Sequence, residues 1–228
     1  MANISGMPTF FPRRLSEYCP AMRYAADVHM QGSTRISFSA PALSVAAGII
    51  SAQSIAAAGT MQAASMLLST MDAPYGRTLS MVLSGAGAGT LTVDGWDYLG
   101  QAMSENITYN GATPVQGKKA FKYLRQITWT LVAATTLNVG FSTGLGLPYK
   151  AIKVYTEEAS SVPVGTVGTL TAGILTDPAT AITGDPRGTW VSTTAMDGVT
   201  VLTATFDFAN DVNAAGNGGL HGIAHFAN

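Results

Sequence analysis

RTLSMVLSGAGAGTLTVDGWDYLGQAMSENITYNGATPVQGKKAFKYLRQITW, residues 77–129, decides the fold. Leu79, Met81 and Leu83 alternate with Thr78, Ser80, Val82 and Ser84, the period-two pattern of a half-buried strand. Past the glycine-rich 85–89, Leu91 and Val93 oppose Thr90 and Thr92, and Asp94-Gly95 reads as a turn dipeptide. Met103, Glu105, Ile107 and Tyr109 then share one face of a third strand, and Asn110-Gly111 closes it with a hairpin signal. Ile127, Trp129 and Leu131 form a further apolar row. The centre of the chain therefore reads as a twisted antiparallel sheet.

Outward from this stretch, residues 1–40 show little periodicity. Pro8, Pro12 and Pro20 with Phe10, Phe11, Tyr18 and Tyr24 indicate an extended arm, with RISFS at 35–39 as its first short strand. Residues 42–71 are rich in alanine and have a helix-forming composition, but Gly48 and Gly59 count against one long helix. Two strands, at about 48–56 and 61–69 and joined at Ala58-Gly59-Thr60, fit equally. After Trp129, Thr135-Thr136 reads as a turn and 144–148 as a tight loop before a strand at 151–155. The Gly/Thr/Pro-rich section at about 156–188 reads as an excursion containing a β-hairpin. Asp185-Pro186-Arg187-Gly188 turns into 189–193, and a last strand at 199–208 puts Leu202, Ala204, Phe206 and Phe208 on one face.

The whole reads as all-β: an antiparallel β-sandwich, with a jelly roll as one form it could take. An N-terminal arm (1–40) precedes a core (41–208) with its excursion, and a C-terminal tail (209–228) follows.

A chain of 228 residues can bury a sizeable core. Only 11% of it is charged and the net charge is −1, so electrostatics gives no reason to expect nucleic acid or a membrane surface as partner. Low charge together with 25 glycines and 47% apolar residues suits a chain covered by neighbouring subunits, and a Thr/Ser-rich β surface is the other way to reach it. Cys19 has no internal disulfide partner and reads as a small apolar residue. The N-terminus lacks a secretory pattern, and the apolar region 40–71 is too interrupted to span a membrane, so synthesis in the cytoplasm is expected.

No residue set argues for catalysis, a cofactor or a metal. His221 and His225 are four apart, but they lie among glycines that oppose a helix, and no HExxH glutamate accompanies them. The 85–89 loop lacks the Gly-Lys-Ser/Thr ending of a phosphate loop. Asp94, Asp97 and Glu105 could be imagined as paired carboxylates, but Asp94 and Asp97 fit turn positions and Glu105 fits a sheet surface. No serine occupies a nucleophile elbow. Lys118, Lys119, Lys122 and Arg125 alternate partly with Phe121 and Tyr123. Phosphate contact is one reading of that patch; a solvated strand face or inter-subunit salt bridges are the preferred one.

The order of motifs adds a resemblance. DAPYGRTLSMVLSG, then 89–129, then VGFSTGLGLPYK resembles the β-sandwich structural proteins of tailed-bacteriophage virions. In those proteins a D-x-P-R start of a strand precedes a G-T-D-x-x-G-x-x-x-x-E hairpin, a G-x-K-A-F-K segment and a G-L-P loop. Asp72, Pro74 and Arg77 match the first, with Tyr75-Gly76 inserted. Gly95, Asp97, Gly100 and Glu105 match the second, with Trp96 where a small polar residue is more usual. Gly117, Lys119, Ala120, Phe121 and Lys122 match the third. The segment 185–198 is also similar to one near the end of such chains.

The resemblance covers about half the chain and implies a capsid decoration (cement) protein on the virion head. Its partners would be the major capsid protein and its own copies, as a trimer at three-fold axes. Phe10, Phe11, Arg13, Arg14, Lys118, Lys119, Lys122 and Arg125 would be the candidate contacts, with no enzymatic activity, nucleic acid or membrane involved. A tail-tube or head–tail adaptor component, and a glycan-binding or depolymerising appendage, are the alternatives.

Overall fold

A computed structural model describes residues 33–208 apart from Leu131, Ala133 and Ala134. The described chain is all-β, with fourteen antiparallel strands in three sheets and a single 3-10 turn at Ala63–Ser65. The strands are β1 (Thr34–Ser37), β2 (Val45–Ser54), β3 (Gly59–Gln62), β4 (Arg77–Leu83), β5 (Ala88–Trp96), β6 (Ala102–Asn110) and β7 (Val115–Phe121), then β8 (Tyr123–Trp129), β9 (Thr136–Gly146), β10 (Ala151–Ala159), β11 (Val162–Pro163), β12 (Thr169–Ala172), β13 (Gly188–Val191) and β14 (Leu202–Phe208).

The alternation read from the sequence sets which side is buried. Leu79, Met81 and Leu83 of β4, Leu91 and Val93 of β5, and Met103, Ile107 and Tyr109 of β6 are all buried. One hydrophobic cluster joins these to Leu124 and Ile127 of β8, to Leu137 and Val139 of β9 and to Ile49 and Ile50 of β2. It is the filling of a β-sandwich. One layer is the sheet β12-β13-β9-β4-β7, with β2 on β9; the other is the sheet β3-β8-β5-β6. A second cluster lies where the sheet β1-β14-β10-β11 meets the far end of β9 and β13. Phe38 lies 5.0 Å from Trp190 between ring centroids, and Phe206 stands edge-on to both.

Four local readings change. Asp94-Gly95 lies inside β5; the turn comes later, at Asp97–Gly100, where Gly100 has φ +81°. Gly95 is a glycine because β8 bulges against it, and a Cβ there would overlap the Tyr123 carbonyl oxygen. Gly144 and Gly146 likewise belong to β9, which continues until the bend at 148–149; a Cβ on Gly146 would overlap the Tyr75 carbonyl.

Asn110-Gly111 does not close a two-residue hairpin: the chain leaves one sandwich layer there, and β7 pairs with β4 in the other. The strands expected at 48–56 and 61–69 appear as β2 and a shortened β3. They do not pair with each other, since β2 lies on β9 and β3 on β8. The strand expected at 35–39 is β1, on β14. The excursion contains the short pairing of β10 with β11 and the pairing of β12 with β13.

Candidate functional site

The basic patch predicted on β7 and β8 divides into inner and outer residues. Lys119 is fully buried, because β7 is covered on both faces toward its end. Its ammonium donates to the carbonyls of Ser104 at 2.8 Å, Pro178 at 2.6 Å and Thr180 at 2.9 Å. Burial lowers its pKa, against the opposing pull of Glu105, Asp185 and Asp177. Lys122 is half-buried and donates to the carbonyls of Met71 at 2.7 Å and Ala73 at 2.9 Å. Lys119 is thus an internal brace and not a surface contact. Lys118 and Arg125 are exposed, and Arg125 lies 3.5 Å from Asp94. Phe10, Phe11, Arg13 and Arg14, like Cys19 and the histidines, lie outside the described residues.

The carboxylates also turn inward. Glu105 is buried, contrary to the sheet-surface reading, and accepts the amides of Lys118 at 2.5 Å and Lys119 at 3.2 Å. Burial raises its pKa while those amides oppose the rise. Asp185 is raised by burial too, although it accepts the amides of Ala120 and Arg187. Asp97 accepts the amides of Leu99 and Gln101, both at 2.8 Å, and forms a buried ion pair with Arg187. The Arg187 guanidinium lies 4.9 Å over the Tyr98 ring. With these oxygens committed to amides and a guanidinium, the arrangement holds the excursion against β6 and β7.

Two further staples use the same logic. Arg77 donates to the Ser142 carbonyl through two nitrogens, at 3.0 and 2.6 Å, to the Ala42 carbonyl and to Asp72, with Phe141 4.5 Å beneath it. Glu157 accepts from Ser192 Oγ and from the Thr193 and Thr194 amides. Burial alone would raise its pKa, but these hydrogen bonds outweigh it and hold the group below the usual carboxylate range. Asp72, Arg77, Asp97, Glu105 and Lys119, which carry the sequence resemblance, are in this way the residues that fasten loops to the sandwich.

Concave surface is found in two places among the described residues. A groove of about 590 Å³ crosses the layer containing β4, β7 and β9; it is lined by hydroxyls of Thr78, Ser80, Thr143 and Thr189, with Phe141 among the apolar residues. The second surface, missed from sequence, is the outer face of β5 and β8. Trp96 lies directly opposite Tyr123, and both are exposed. One rung on, Gln126 Nε2 donates to Asp94 at 2.8 Å; beyond that, Thr60 and Thr128 share a hydroxyl hydrogen bond at 2.9 Å. A cleft of about 320 Å³ opens beside Trp96, Asp94 and Arg125. Continuing the alternation Thr92, Asp94, Trp96 through the Asp-Gly pair would have disclosed it.

Among the described residues no group of three or more His, Cys, Asp or Glu could hold a metal ion, and no helix is long and apolar enough to cross a membrane. Comparison with protein-family models, with curated proteins and with solved structures found no match to the chain.

Proposed function

We propose that the chain is a structural subunit of a tailed-bacteriophage virion, a capsid decoration protein that binds the major capsid protein lattice and its own copies, as a trimer. The sequence resemblance over 72–150 supports this reading. The observation that carries it is the distribution of charge and apolar surface. Arg77, Asp97, Glu105, Lys119, Glu157, Asp185 and Arg187 are buried, whereas Leu43, Leu67, Val162, Ile182 and Val199 are between 63% and 80% exposed on loops and strand ends. Withdrawn charge and projecting aliphatic side chains suit a molecule whose surface is completed by neighbours. A modest interface repeated over a lattice then gives firm attachment through multivalency.

Immunogold labelling of purified virions, followed by cryo-microscopy of the heads, tests this. Label distributed over the head, with trimeric density on the capsid lattice, is expected. Label confined to the tail or to the head–tail junction, or no label on the particle, would overturn the reading.

A further inference from the structure

We propose that the outer face of β5 and β8 is a binding site for neutral oligosaccharide, built around Trp96 and Tyr123. The two rings are cross-strand partners, 37% and 42% exposed, so each offers apolar surface to solvent at the same end of the sheet. Such rings combine apolar area with a polar edge, the combination that anchors a partner at a wet surface. Beside them stands a preformed set of planar polar groups: the Asp94 carboxylate, the Gln126 carboxamide bonded to it at 2.8 Å, and the Arg125 guanidinium at 3.5 Å.

A pyranose ring has the matching chemistry, with an apolar C–H face for stacking and a rim of adjacent hydroxyls that donate to a carboxylate and accept from a guanidinium or amide. A cleft of about 320 Å³ continues the site on the β6 side of Trp96, lined also by Asp94, Arg125, Ala102, Ser104 and Ala179 but not by Tyr123 or Gln126; its volume lies at the small end of ligand sites.

Charge and topology argue against two other occupants. A nucleic-acid strand also stacks on aromatics, but it needs a continuous cationic track; of the cations beside these rings, Lys122, 6.0 Å over the Tyr123 ring, is committed to the Met71 and Ala73 carbonyls, and Arg125 is paired with Asp94. A peptide adding as a strand would need an open strand edge. β5 is hydrogen-bonded to β6 and β8, and β8 to β5 and β3, so only side chains are on offer. Asp94 with Arg125 is a neutral pair, which suits an uncharged, polyhydroxylated ligand.

The test is saturation-transfer NMR on the full chain against malto-, cello-, xylo-, manno- and chitohexaose, with a thymidine oligonucleotide as the anionic stacking control. Transfer from aromatic protons to at least one hexasaccharide is expected. Trp96→Ala and Tyr123→Ala should each lower its affinity about tenfold, and Trp96→Phe should retain most of it. Melting curves of these surface variants should overlay the parent's, so that lost binding is not lost fold. Silence toward every hexasaccharide, transfer that survives both alanine substitutions, or preference for the oligonucleotide would each overturn the proposal. So would loss of head attachment in Trp96→Ala without any sugar binding, which would assign the face to a protein. The measurement uses free protein, so its outcome is separate from where the chain resides in a virion.

Discussion

Arg187 and Asp97 form an ion pair with both side chains almost wholly withdrawn from solvent, joining the turn before β13 to the turn after β5. Removing one member strands the other in a low-dielectric interior, at a cost of about 3–5 kcal/mol. Arg187→Met and Asp97→Asn are each expected to lower stability by about that amount in urea titration, and the double variant should lose clearly less than the two together. Additive losses would mean that the pair is not coupled.

Lys119 should control the excursion. Its ammonium ties Ser104 of β6 to Pro178 and Thr180, while the Ser104 and Asn106 amides donate to Pro178 and Ala181, so residues 177–181 cover the β6 edge. Lys119→Met keeps the apolar stem and removes the three charged hydrogen bonds, a loss of about 3 kcal/mol at the upper end for such a bond. Hydrogen exchange at the Ser104 and Asn106 amides, and proteolysis within 174–184, should both accelerate while the β4 amides stay protected. Uniform acceleration along the chain would contradict a local clamp.

How far the sequence disclosed this architecture depends on the range of the interaction. Burial of Leu79, Met81, Leu91, Val93, Ile107 and Phe206 followed from side-chain alternation, which a strand imposes on its own residues. The assignment failed at Gly95 and Gly146, because a glycine admitting a neighbouring carbonyl is the same letter as a glycine making a turn. The partners of β2 and β3 were equally hidden, since nothing local specifies that β2 meets β9 some ninety residues on. The inward course of Glu105 and Lys119 was not legible either. Lys119 is accommodated by the Pro178 and Thr180 carbonyls and the Asp185 carboxylate, some sixty residues on, and Glu105 by the Lys118 and Lys119 amides of β7.

Tyr98 supplies an alkaline signature. Its hydroxyl donates to the Pro148 carbonyl at 2.6 Å, and its pKa is pushed up to about 12, by burial first and by Tyr149, Asp97 and Tyr75, against the pull of Arg187. The folded value exceeds the ordinary 10.0, so this contribution to stability is complete below pH 10 and is lost as pH rises toward 12. Tyr98→Phe should cost about 1 kcal/mol at neutral pH for the missing hydrogen bond. The stability curves of parent and variant should converge between pH 10 and 12. A constant separation across that range would refute the assignment.

Gly140 tests how tightly β2 lies on β9. A Cβ at this position would overlap the Val45 carbonyl oxygen and press on the Ala46 backbone, so the obstruction is main chain that cannot rotate aside. The nearby strand pairing already slips between Val45↔Phe141 and Ile50↔Val139, and moving β2 outward would uncover Ile49 and Ile50, both buried. Gly140→Ala is therefore expected to cost about 3 kcal/mol, at the upper end for overpacking. At Gly165 a Cβ meets nothing within 4 Å, and Gly165→Ala should be neutral or stabilising by up to about 1 kcal/mol through the unfolded chain. Thermal melts of the two variants against the parent decide the matter, and equal shifts would show that β2 does not rest on β9 as closely as the Val45 carbonyl requires.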